Sequence, residues 1–286
     1  FTFAMLFRSH PSYFADFPDT STLRPQMTTP SASPPPTTAG FHITRGVALQ
    51  IPAGGLSISF NENGEAKMEL KEILLRLDTS VHWLEIALDH LGQAKTAHDA
   101  LASAHADGED VGDLLQVTFK AAMQAIVAAA TFFEALYAAS RDCMPPTRLA
   151  PRASGGSGAR RSALVTEQLK RSFGLKPKRS AELASVLSEV YRFRDEAVHP
   201  ASSFGSPAIH PMLGVLVERR LAMYTYPNSQ LLVRAALAYC KILPTIGKKD
   251  GPKEVHDLAQ YLLTAGEPHF YAWEQSYGPL LDAAAA

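Results

Sequence analysis

The stretch from Asp113 to Arg141, D-L-L-Q-V-T-F-K-A-A-M-Q-A-I-V-A-A-A-T-F-F-E-A-L-Y-A-A-S-R, limits the fold more than any other. Its apolar residues fall on every side of a helical wheel, so a helix here must lie at the centre of a bundle. The most apolar part, Ala121 to Ala139, is interrupted by Gln124 and Glu134 and abutted by Lys120. A membrane span needs roughly 20 residues with few or no charges, so a buried helix is predicted and no membrane partner. Upstream, Ile73, Leu74, Leu77, Val81, Leu84, Leu88 and Leu91 recur at three and four. That spacing predicts one apolar face on a helix beginning between Lys67 and Leu74 and ending near Ala106. Gly108-Glu109-Asp110 and Gly112-Asp113 supply the turn and cap, and the two helices form a long αα-hairpin.

The remaining chain divides by punctuation. Residues 1–26 precede Met27 and are expected to be an extension outside the fold, with no basic region resembling a secretion signal. Residues 20–40 are rich in Ser, Thr and Pro, which predicts a disordered leader. Residues 41–66 alternate with period two around the turn signal Asn61-Glu62-Asn63-Gly64, predicting a small β-hairpin or three-stranded flap, with Lys67 to Leu70 able to pair back. Residues 67–245 form the expected helical bundle, and 246–286 a C-terminal helix and tail packing on it.

Within the bundle, residues 144–162 read as a flexible basic loop. A helix is predicted from Ala163 to Phe173, stopped by Gly174. The next is capped by Ser180 and ends near Val198, because Pro200 pushes His199 out of helical geometry. Val215 to Tyr226 is expected to hold an extended piece. Asn228 or Ser229 caps a helix to Leu243. A short helix opens at Pro252 and closes at Thr264, followed by a docking tail with Phe270, Tyr271, Trp273 and Tyr277. The fold class is mainly α.

Composition narrows the function. The net charge of the 286 residues is −1, so any polyanion must be met by local patches rather than bulk charge. The two cysteines, Cys143 and Cys240, lack paired spacing. They read as reduced thiols in a cytoplasmic protein, without disulfide or zinc site. Acids predominate from Asn61 to Asp113, and bases from Arg148 to Arg194. Asp78, His82, Glu85 and Asp89 share a helical stripe, read as a solvated face without metal. Glu134 is the candidate buried carboxylate and needs a partner; Arg194 is the first expected. No phosphate-binding glycine loop, nucleophile elbow or zincin motif is present, and no cofactor is expected.

The residues with chemical promise lie in Tyr191 to Pro200, Y-R-F-R-D-E-A-V-H-P. Arg194 and His199 stand five positions apart at a helix end, with Asp195 directly after the arginine. This arrangement resembles the R-x(4–6)-H motif of the HEPN superfamily. Two long helices precede the motif, and the second carries a hydrophobic run with an embedded glutamate, A-A-A-T-F-F-E-A-L-Y-A-A, similar to the family pattern. The resemblance spans residues 67–245. It implies a HEPN-like bundle acting as a homodimer, in many members a metal-independent endoribonuclease with toxin, defence or stress roles. Arg194 would hold phosphate, His199 would act as general acid or base, and Asp195 would orient the histidine. Arg192, Arg160, Arg161, Arg171, Lys178 and Arg179 would bind RNA. An antitoxin or other protein partner fits the same implication. The competing expectation is a non-catalytic helical binding module, with Arg194 in a structural ion pair and His199 capping a helix.

Overall fold

A computed structural model describes residues 46–149, 161–199, 205–246 and 251–281. The expectations for residues 1–40, for Arg160 and for most of the basic loop fall outside them. The chain is mainly helical, with a small antiparallel β region before the helices.

The bundle is organised by α1 (Ser80–Ala106) and α2 (Gly112–Asp142). α1 ends at Asp107, and Gly108 adopts φ +74°, the left-handed conformation that glycine tolerates best. The Glu109 N–H then donates to the Ala104 carbonyl, closing the helix end. Asp110 Oδ1 accepts from the Gly112 N–H, 2.9 Å, and starts α2.

The α1–α2 seam is lined by small residues. Ala87, Ala94, Ala97 and Ala104 of α1, and Ala121, Ala122, Ala125 and Ala129 of α2, are all buried. Small side chains let two backbones approach closely. Leu84, Leu91, Ile126, Phe132 and Phe133 fill the remaining core, each contributing about 1.5–3 kcal/mol on burial. By length and composition α2 could cross a membrane, yet 56% of its apolar window is buried inside the bundle. It is the core helix.

α3 (Arg161–Phe173) and α4 (Pro177–Val198) form a second helical hairpin against α2. Gly174 at φ +62° and Pro177 at the first position of α4 make their tight turn. α4 therefore begins before Ser180: proline pre-sets the helical φ, so a hydroxyl cap is unnecessary. Two short strands, β5 (Ala208–Ile209) and β6 (Leu216–Val217), and a one-turn helix, α5 (Arg219–Met223), lead to α6 (Tyr226–Ile246). Tyr224, just past α5, is buried and donates to the Phe193 carbonyl of α4, 2.6 Å.

Other boundaries differ from the sequence reading, and α6 opens at Tyr226 with Asn228 and Ser229 inside it rather than capping it. The first helix does not begin at Lys67–Leu74. Ala66–Leu70 and Leu74–Leu77 are strands, numbered β3 and β4, and pair with β2 (Leu56–Phe60) and β1 (Val47–Gln50) respectively. The hairpin thus reaches Leu77 rather than residue 66. Asp78 lies outside the helix and its carboxylate accepts from the Ser80 N–H and hydroxyl, so it caps α1 instead of joining a stripe with His82. The short C-terminal helix and tail are one helix, α7 (Lys253–Tyr277), which continues through Gly266 and Pro268. Burial of Phe270 and Trp273 against the bundle holds it together past the proline.

Candidate functional site

The residues around Glu134 come from three helices. Glu134 faces out of the middle of α2, and α3 opens with Arg161 directly opposite. The Arg161 Nε donates to both Glu134 oxygens at 3.0 Å, and a terminal nitrogen closes a short ion pair with Oε2. The guanidinium lies over the Tyr137 ring, 4.3 Å from its centroid. Arg194, on α4, approaches the same carboxylate more loosely, 3.4 Å from Oε1. Its other terminal nitrogen reaches Asp195, 3.2 Å, and it stands 5.0 Å over the Tyr191 ring.

Burial alone would raise the Glu134 carboxyl. The Arg161 hydrogen bonds, the Tyr191 hydroxyl and both guanidinium charges outweigh it and hold the group below the usual carboxylate range. Burial first, and then the Glu134 charge, push the Tyr191 phenol well up. That hydroxyl faces the carboxylate without a hydrogen bond of full geometry. Two cations and two carboxylates (Arg161, Arg194, Glu134, Asp195) thus balance one another. The cluster locks α2, α3 and α4 together and presents Arg194 with only 24% of its side chain exposed.

α4 ends at Val198. His199 caps it at φ −126°, ψ 60°, and its N–H still donates to the Asp195 carbonyl, 2.8 Å. The side chain is exposed. Because helical bonding persists to His199, five residues of rotation separate it from Arg194 by about 140° around the axis. No hydrogen bond or ion pair joins Arg194, Asp195 and His199 side chains into a triad among the described residues. Asp195 engages Arg194, not His199.

The basic residues divide: Arg161 and Arg192 stand beside the motif, and Arg171, Lys178 and Arg179 do not. Arg161 is committed to Glu134. Arg171 bonds Glu167 and the Leu149 carbonyl, Arg179 pairs with Glu182, and Arg192 pairs with Glu189. Arg171, Lys178 and Arg179 lie at the α3–α4 turn, while Arg194 lies near the other end of α4. From Lys178 to Arg194 the helix rises about 24 Å. A pocket of about 280 Å³ near that turn is lined by Arg148, Lys170 and Arg171. Among the described residues no group of three or more His, Cys, Asp or Glu forms a metal-binding cluster.

Tyr137 was not singled out by sequence, and Tyr191 was read as the start of the motif stretch and not as part of the cluster, although each sits one turn from a charged residue of the cluster. Spacing on a shared helix face was the available signal. No family model matches the chain, and no curated protein or solved structure matches it.

Proposed function

We propose that this chain is a HEPN-type helical protein acting in the cytoplasm as a homodimeric, metal-independent endoribonuclease in a defence, toxin or stress role. The observation that carries the reading is the end of α4. An exposed histidine terminates the helix, little more than a turn beyond an arginine held by a half-buried glutamate. His199 takes the proton of a ribose 2′-hydroxyl as it attacks the adjacent phosphorus, and a second His199 returns a proton to the departing 5′-oxygen. The guanidinium of Arg194 neutralises the equatorial phosphate oxygens as charge builds. The products are a 2′,3′-cyclic phosphate and a 5′-hydroxyl. The 140° divergence along one α4 favours a site shared by two subunits.

A second reading is a non-catalytic module that binds a protein or RNA through the same surface. It is favoured by the double engagement of Arg194 with Glu134 and Asp195. One assay separates them. RNA is incubated with wild type, Arg194→Ala and His199→Ala in EDTA. Cleavage to cyclic-phosphate ends by wild type alone supports the enzyme; equal RNA survival with all three proteins overturns it.

A further inference from the structure

The β region is an arm. β2 and β3 are joined by a turn in which Asn61 Oδ1 accepts from the N–H groups of Asn63 and Glu65. β1 and β4 continue the same two strands towards the bundle. Between the halves, the Gly55 carbonyl accepts from both Lys71 and Glu72, 2.7 and 3.2 Å, a bulge that bends the ladder. No strand of the arm packs extensively on any helix. Among the described residues the arm is held at its base, where the Asp78 N–H donates to the Gly46 carbonyl, the Tyr261 hydroxyl donates to the Asp78 carbonyl, and Arg76 of β4 stands beside the Cys143 thiol at the end of α2.

Its outer half is two-faced. The register pairs Leu56 with Leu70, Ile58 with Met68 and Phe60 with Ala66. Side chains alternate along a strand, so these six share one face and Ser57, Ser59, Lys67 and Glu69 the other. The apolar face is uncovered: Phe60 is 72%, Met68 70% and Ile58 56% exposed. Ten of the seventeen large exposed hydrophobic residues among those described belong to the arm. A lone two-stranded hairpin is marginal in water and needs such a face covered.

We propose that a second copy of this chain covers the face, arm upon arm. Self-complementarity argues for it. A twofold axis along the arm lays Phe60 over Ala66 of the second copy, large on small, and Ile58 over Met68. Size fits a modest dimer. Five large apolar side chains on that face (Leu56, Ile58, Phe60, Met68 and Leu70), each partly uncovered, offer on the order of 500 Å² per copy, or about 1,000 Å² in all, where specific interfaces begin. Charge points away from other occupants. Glu62, Glu65, Glu69 and Glu72 outnumber Lys67, Lys71 and Arg76, which disfavours RNA or an anionic bilayer. The interface is separate from Arg194 and His199, so it stands whether or not the chain cleaves RNA.

The test is light scattering of the full chain, wild type against Ile58→Lys/Phe60→Glu, with Ser57→Lys on the polar face as control. Wild type and Ser57→Lys are expected to pair through the arm, giving a dimer of the 31.0 kDa chain, or a tetramer where the α4 ends pair as well. The double variant should weaken the dimer by roughly 100-fold or more with unchanged helical circular dichroism, because no helix rests on the arm. A wild type that stays monomeric at about 100 µM overturns the proposal. So does a double variant with the same molar mass in solution as wild type.

Discussion

Arg161 grips Glu134 as the first residue of α3 meeting the middle of α2, with Nε 3.0 Å from both carboxylate oxygens. The contact fixes where α3 starts, because the helix enters the bundle at its ion pair. It also leaves Arg194 as the looser second partner of the same carboxylate.

Glu134→Gln should therefore destabilise the fold at neutral pH by about 1–3 kcal/mol, since it leaves two guanidiniums short of a charge. The folded carboxyl sits below its ordinary 4.5. Its contribution is complete above that value and disappears as pH falls through the lower folded value. Urea titrations from pH 7 to 3 should show wild type losing this increment in acid and the variant losing none of it.

His210 responds to acid in the same direction, closer to neutral pH. Its Nδ1 accepts from the Met212 and Leu213 N–H groups, 3.3 and 3.2 Å, and the ring is buried. Burial, and then neighbouring His98, push its pKa down. The unfolded chain thus binds the proton more readily, so stability is fully present above about pH 6.5 and falls as pH drops below it. His210→Asn keeps an acceptor near Nδ1. The slope of stability between pH 6.5 and 5 should shrink, with a remainder from His98, whose pKa burial also lowers.

Gly266 lies inside α7, where alanine is ordinarily better by about 1 kcal/mol. A Cβ there would stand 2.6 Å from the tip of the buried Phe270 ring. Gly266→Ala should lower stability by about 1–3 kcal/mol instead, read as a reduced thermal midpoint. Unchanged or raised stability would show the ring able to move aside.

At the arm's root, Gly46 adopts φ +82°, and a Cβ would lie 2.7 Å from both the Asp78 carbonyl and the Tyr261 hydroxyl. Gly46→Ala should unfasten the arm without melting the bundle. Hydrogen exchange is expected to accelerate at Asp78 and along β1 and β4, while the amides of α2 keep their protection.

The sequence made α1–α2 legible because its signal is local: periodic apolar residues, a glycine turn and an aspartate cap. The outer hairpin was legible for the same reason, through Asn63-Gly64. Leu74 and Leu77 misled, since their spacing suits a helix and only pairing with Val47 to Gln50, far back in the chain, makes them strand. Gly266 and Pro268 read as breakers, yet burial of Phe270 and Trp273 overrides them. The end of α4 was legible in the His-Pro pair. The employment of Arg161 was not, because a string of arginines does not reveal which one meets a carboxylate on another helix. Nor did the linear neighbourhood of the basic residues reveal that a helix carries Lys178 and Arg194 about 24 Å apart.

The hydrogen bond from Asp78 to Gly46 closes the arm on itself at its root, directly before α1. Everything between those two residues is a closed excursion: α1 begins in the same place whatever its length. Selection can thus lengthen, trim or recolour the arm, and with it the choice of companion, without renegotiating a single helix contact.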